Sequence, residues 1–342
     1  MHCRGMSAFR KLSPEAAPGR SEGTVPTPSL PSGCKFNATG LPVTASGIPS
    51  LDCLLADGIP IGSVVGMCED CPTNYWQIIG KLFISQGLHS GQTVAIPLVE
   101  GPETKATFLS QLPTVAAAEP EAKDSESPNL SIAWRYQHLP SLCTENEKNS
   151  FSFDLTKTID QSLIQEQENA FPLAFTNPQH LLMLIREFIE ANYNPKVPPI
   201  NGQQRRILRI FLPSLGSLGW NCAQQSDTIA EIASFLCSLK AILRYSYAVC
   251  VVSFPSWAFE KRIFPFLDCI FSLDAAVGKS LEWQGYLKFH KLMRIASFAS
   301  NSPIGTLDYV FKCKKKRFTL EKFYLPPELS DTPSRTACST NF

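Results

Sequence analysis

Residues 46–87, SGIPSLDCLLADGIPIGSVVGMCEDCPTNYWQIIGKLFISQG, set the reading of the whole chain. The stretch predicts a short helix, a glycine-flanked turn, a buried strand, a tight loop and an amphipathic helix. Ser63-Val64-Val65-Gly66-Met67 is a small and apolar run of the length found inside a parallel sheet. Tyr75, Trp76, Ile78, Ile79, Leu82 and Phe83 recur at helical spacing and form one apolar face. A strand that feeds a helix through a tight loop aims backbone N–H groups, and the positive end of the helix dipole, at whatever the loop encloses. The loop Cys68-Glu69-Asp70-Cys71-Pro72-Thr73-Asn74 therefore decides what this entrance does.

The loop lacks what phosphate needs. A G-x-x-x-x-G-K-[ST] loop uses glycines to wrap the backbone around phosphate, a Lys for charge and a hydroxyl for Mg²⁺. Here there is no Gly and no Lys, and Glu69 and Asp70 would repel a triphosphate. Thr73 keeps a hydroxyl, but Thr73 or Asn74 reads more simply as the N-cap of the helix. The architecture is kept and the chemistry is edited out.

The rest of the 342 residues fits one globular domain with tails: 44% are hydrophobic, 18% charged, and the formal net charge is +1. So even a balance gives no general affinity for nucleic acid, and any such binding must come from a local patch. The apolar stretch near 247–259 is interrupted by Ser253, Pro255 and Ser256 and is too short to span a bilayer, so no membrane partner is expected. The first residues lack the apolar centre of a secretory signal; their Arg and Ser content faintly resembles a mitochondrial presequence, but Pro14, Glu15 and Pro18 favour a disordered leader. Twelve cysteines are scattered singly apart from Cys68 and Cys71, which points to a reducing compartment, cytoplasmic or nuclear.

Along the chain, residues 1–37 are Pro-, Gly- and Ser-rich and predict a disordered leader; 38–328 predict the folded domain and 329–342 a flexible tail. Strands are predicted at 93–99, 130–136, 207–212 and 247–254, with helices at 178–193 and 227–243. Shorter strands follow near 269–273, 286–292 and 309–312. Residues 141–178 are polar and weakly patterned and predict a long insertion loop. The alternation, closed by strands without helices between them, predicts an α/β fold with antiparallel edge strands.

Ser46-Gly47-Ile48-Pro49-Ser50-Leu51-Asp52, with Gly58 and Gly62 ahead of the strand, resembles the entry to RecA-like and KaiC-like ATPase domains. Three further stretches narrow the resemblance: Ile132-Ala133-Trp134-Arg135-Tyr136-Gln137-His138-Leu139-Pro140, Ile207-Leu208-Arg209-Ile210 with Leu215-Gly216-Ser217, and Arg317-Phe318-Thr319-Leu320-Glu321-Lys322 running into Leu325-Pro326-Pro327-Glu328. Together they resemble the PAXNEB family of Elongator subunits over roughly residues 40–335. The resemblance implies a RecA-like, mostly parallel sheet flanked by helices, with a degenerate phosphate loop. It also implies a non-catalytic subunit that forms a heterohexameric ring with Elongator proteins 5 and 6, within the rest of the complex. Such a ring would bind tRNA and support wobble-uridine modification such as 5-methoxycarbonylmethyluridine formation. No cofactor is expected on this chain alone; ATP is expected, if anywhere, at ring interfaces.

Other residues bear on chemistry. Glu100 follows a predicted strand where RecA-like ATPases keep the carboxylate that orients water, or it is a solvated loop residue. After the 207–212 strand, where a metal-holding Asp would follow, stand Pro213 and Ser214. These losses argue against an independent nucleotide hydrolase. Gly278-Lys279-Ser280 spells the end of a phosphate loop without its first Gly and reads as a hairpin. Cys68-x-x-Cys71 at a helix start offers a rival reading as a dithiol redox pair, against which the two intervening acids work. No second C-x-x-C or His pair completes a zinc site, and no metal is expected. Lys312, Lys314, Lys315, Lys316 and Arg317, between Phe311 and Phe318, form the densest basic cluster. It suits tRNA phosphate, a neighbouring subunit's nucleotide, or the protection of a sheet edge. Gln203-Gln204-Arg205-Arg206 is a weaker second patch.

Overall fold

The computed structural model describes residues 30–71, 73–97, 107–116, 151–160, 162, 175–196, 205–222, 228–276, 283–295, 308–314 and 316–323. Strands β1 (Cys34–Phe36), β2 (Pro42–Thr44) and β3 (Ile59–Pro60) form a small antiparallel sheet, with helix α1 (Pro49–Leu54) between the last two. Strand β4 (Val64–Cys68) follows and leads through the decisive loop into helix α2 (Tyr75–His89). Then come β5 (Thr93–Ala95), β6 (Pro113–Val115), β7 (Phe153–Thr158), helix α3 (Pro178–Asn192) and β8 (Leu208–Leu212). Helix α4 (Thr228–Arg244) precedes β9 (Ala248–Phe254), β10 (Cys269–Ala275), β11 (Gly285–Lys291), β12 (Asp308–Lys314) and β13 (Arg317–Lys322).

The main sheet runs β13-β12-β11-β10-β4-β9-β8-β5. From β10 to β5 every neighbour is parallel; from β10 outward to β13 every neighbour is antiparallel. This is the α/β arrangement with an antiparallel edge that the sequence predicts. Every residue of β4, β8 and β9 is buried, because helices cover both faces of a parallel core. Helix α2 contacts β5 and β8, and it approaches so closely that a Cβ on Gly80 would lie 2.3 Å from the Phe211 ring. The return path from β5 through β8 to β9 puts α3 and α4, which pack on each other, across the opposite face. The Ser-Gly entry has a steric reason: Gly47 has φ +93°, and a Cβ there would meet the Leu82 carbonyl oxygen at 2.4 Å.

Two segments differ from expectation. Residues 30–37, assigned by composition to a disordered leader, carry β1: Ser32 N donates to Arg205 O at 2.9 Å, and Gln92 Nε2 donates to Ser32 O at 2.8 Å. Within 141–178, Phe153–Thr158 is a strand paired with β6 rather than loop. Its alternation of Phe153 and Leu155 with polar residues is two-sided, and its partner lies about forty residues away in sequence. Strand 130–136 and the Trp-Arg-Tyr and Leu-Pro-Pro stretches lie outside the described residues. Among the described residues no helix is long and apolar enough to cross a membrane.

Candidate functional site

The loop after β4 opens at the C-terminal end of the parallel strands, beside the point where chain order reverses around β4, which is where such sheets hold ligands. Two carboxylates occupy it. Asp70 is buried and turns back onto the start of α2: its Oδ2 accepts from Tyr75 N and its Oδ1 from Trp76 N, each at 3.0 Å. The Thr73 hydroxyl donates to the same Oδ2. An anion thus sits on the first helix amides and the positive end of the dipole, but it belongs to the chain itself. The expectation that Thr73 or Asn74 caps the helix is corrected here. Asn74 stands at the cap position without a side-chain cap bond, and Thr73 serves Asp70 instead.

Glu69 points the other way, across the strand ends. Its Oε1 accepts from Ser214 Oγ at 2.6 Å and Ser253 Oγ at 2.7 Å, and Ser253 Oγ accepts in turn from Ser214 N at 2.8 Å. Its amide donates to Phe254 O at 2.9 Å. One carboxylate therefore ties together the ends of β4, β8 and β9. Burial pushes the Glu69 pKa up, against the lowering effect of the two serine hydroxyls. Ser214, which stands where a metal-holding Asp would be expected, is instead a hydrogen-bond partner of the edited loop. Ser253 is a site residue that sequence reasoning misses; a Ser next to the end of an apolar strand of Val and Phe is the available signal.

Cys68 is buried and Cys71 exposed, and both are free thiols. Burial, with the nearby charges of Asp274, Glu69 and Asp70, pushes the Cys68 thiol up to about 12. A thiolate is suppressed where the redox reading needs one. Among the described residues no group of three or more His, Cys, Asp or Glu could hold a metal. Glu100, Lys315 and Gly278-Lys279-Ser280 lie outside the described residues. Arg205, of the weaker basic patch, lies over the Tyr247 ring at 5.0 Å and donates to Asn194 O and Pro195 O.

Lys312, Lys314, Lys316 and Arg317 of the basic cluster lie toward the end of the β12–β13 hairpin. Alternation sends Tyr309, Phe311, Phe318 and Leu320 into the core and leaves Lys312, Lys314, Arg317, Thr319 and Glu321 on the outer face. Together with Lys316 they line an open groove of about 320 Å³. The outer strand is not a bare edge: Leu320 N donates to Ser50 Oγ of α1 at 2.9 Å. Charge on this hairpin is therefore not needed simply to block pairing at Leu320.

Elongator complex protein 4 of Xenopus laevis is 28% identical over 356 residues, covering 91% of this chain and 86% of that protein. The Homo sapiens protein of that name is 26% identical, covering 86% and 79%, and that of Schizosaccharomyces pombe is 26% identical, covering 98% and 96%. Among solved structures, a KaiC-like protein from Pyrococcus horikoshii aligns with TM-score 0.47 and 14% identity, over 82% of this chain and 99% of that one. The profile of the PAXNEB protein family matches residues 27–341, and the chain belongs to that family.

Proposed function

We propose that this chain is a non-catalytic, RecA-like subunit of Elongator, working in the cytoplasm and nucleus. It assembles with Elongator proteins 5 and 6 into a heterohexameric ring that binds tRNA and supports wobble-uridine modification. The observation that carries the non-catalytic part is the Asp70 carboxylate on the amides of Tyr75 and Trp76. A site filled by its own chain cannot hold a nucleotide phosphate there without displacing a bonded, buried carboxylate of like charge. The strand and helix that frame the site are retained, since ring assembly needs their shape. Any ATP would be held at ring interfaces by groups from the sister subunits. The names of the relatives support membership of Elongator.

The test is co-expression with the two sister subunits, followed by native mass measurement and equilibrium dialysis with ATP. The expected result is a hexamer-sized particle whose ATP binding is unchanged when Asp70 is retained and Cys71 is replaced by Ser. A monomer that binds and hydrolyses ATP by itself would overturn the proposal.

A further inference from the structure

Charge is arranged unevenly along the outer face of the antiparallel edge. Near the base of the hairpin, cations face acids: Lys288 on β11 lies opposite Asp308 on β12, and Lys312 Nζ meets Glu321 at 2.7 Å. At the tip the pattern reverses. Lys314 and Arg317 occupy directly opposite positions across the two strands, both exposed. Like charges directly opposite destabilise a strand pair. Lys316, the exposed turn residue just before Arg317, stands where two-residue hairpin connections ordinarily carry Gly. Two local choices therefore oppose the fold at one place, as is expected where a surface is shaped by a ligand rather than by stability.

Asp154 of β7 lies in the field of Lys316, and its Oδ1 accepts from the Thr156 amide at 2.9 Å and hydroxyl at 2.6 Å. The tip is held in place, since Leu155 N donates to Lys316 O at 2.9 Å. The groove also carries the Thr319 hydroxyl, a donor suited to phosphate oxygens. On the same side, Tyr286 and Phe323 are half-buried and meet edge to face with centroids 5.5 Å apart, next to Trp283 at 5.8 Å from Phe323. Aromatic faces beside a basic groove favour nucleic acid over an acidic peptide, because unstacked bases can lie on them.

We infer that Lys314, Lys316, Arg317 and Thr319 bind the phosphodiester backbone of RNA, with Tyr286 and Phe323 beside it for an unstacked base. Lys312, held by Glu321, is secondary. The inference rests on the proposed role in a tRNA-modifying complex, and it names the surface of this chain that touches RNA.

The experiment measures binding of a tRNA transcript by fluorescence anisotropy at several salt concentrations. It uses the full chain alone and the chain assembled with its sister subunits. For Lys314→Gln/Arg317→Gln the affinity should fall about tenfold or more, and the log–log salt slope should shrink by about 2, one for each phosphate no longer neutralised. The thermal midpoint should stay level or rise, because a repulsive pair has been removed. Lys312→Gln should change affinity less than about twofold. Unchanged affinity and slope in the folded double variant would overturn the inference. So would loss of the hexamer with RNA affinity intact in the double variant, since the surface would then serve a protein neighbour. Failure of the unaltered chain to assemble would instead count against the ring proposal, while the full chain alone still tests the groove.

Discussion

The guanidinium of Arg209 donates to the carbonyl oxygen of Phe83 at 3.0 Å and lies over the ring of the same residue, 4.8 Å from its centroid. Arg209 is fully buried on β8. It also donates to Thr44 Oγ1 at 2.6 Å, Ala45 O at 2.7 Å and the side-chain oxygen of Gln92. Burial lowers its pKa to about 10, so it remains charged at neutral pH. The small N-terminal sheet, α2, β5 and β8 thus share one cation, whose charge is met by oxygen dipoles, an aromatic face and the field of buried Asp52.

Replacing Arg209 by Met should cost on the order of 4 kcal/mol, because several buried acceptors lose their donor together. Lys should recover only part of this, since a single ammonium cannot reach acceptors spread around a planar fork. Urea unfolding measures both; an unchanged midpoint for Arg209→Met would contradict the assignment.

Asp70→Ala should destabilise the protein by about 1–2 kcal/mol through loss of the helix cap, with Asp70→Asn losing less. Phosphate or sulfate should raise the thermal midpoint of Asp70→Ala more than that of the unaltered chain, because the amides of Tyr75 and Trp76 become open to an outside anion. Equal responses to the anion would show that Asp70 does not stand in its place.

Much of this site is legible in the sequence, and its inner wiring is not. The β4–loop–α2 unit, α3, α4, β8 and β9 are unbroken apolar runs or 3.6-periodic segments whose burial dominates their local choices. The loss of phosphate chemistry can be read from the absent Gly and Lys. Asp70 reads by its charge as an obstacle to phosphate, whereas its role depends on the loop turning it back onto the helix start. Ser214 and Ser253 come together only because β8 and β9 are neighbours in the sheet, a relation that no local pattern encodes. Strands β1 and β7 escape sequence reasoning because each is partly exposed and neither has a clean alternation of burial.

Stability should also respond to pH through Glu69. The carboxyl releases its proton near 4.5 when unfolded and at higher pH when folded. Between these values the folded state holds more protons, so this group's contribution to stability falls as pH rises through the window. Glu69→Gln keeps an oxygen for Ser214 and Ser253 and does not titrate. Relative to the unaltered chain, the variant should therefore gain stability as pH rises above about 4.5. Parallel midpoint curves for the two proteins would refute this.

Thiol labelling provides a separate check on the loop. Iodoacetamide at pH 8 should modify exposed Cys71 in the folded protein and reach Cys68 only in denaturant. Mass mapping of peptides after brief labelling distinguishes the two. Rapid labelling of Cys68 in the folded state would revive the dithiol reading.

The strand order has a consequence for how the chain is made. Strand β4 is synthesised well before its two sheet neighbours, β9 and β10, which begin only at Ala248 and Cys269. At roughly 5–20 residues per second, the ribosome leaves that apolar strand without its partners for about ten to forty seconds. During that interval Val64–Cys68 is an open strand edge on an incomplete protein. The newborn chain should therefore depend on a holding chaperone until residues near 275 have emerged, and slowing translation after β4 should lower the yield of folded protein.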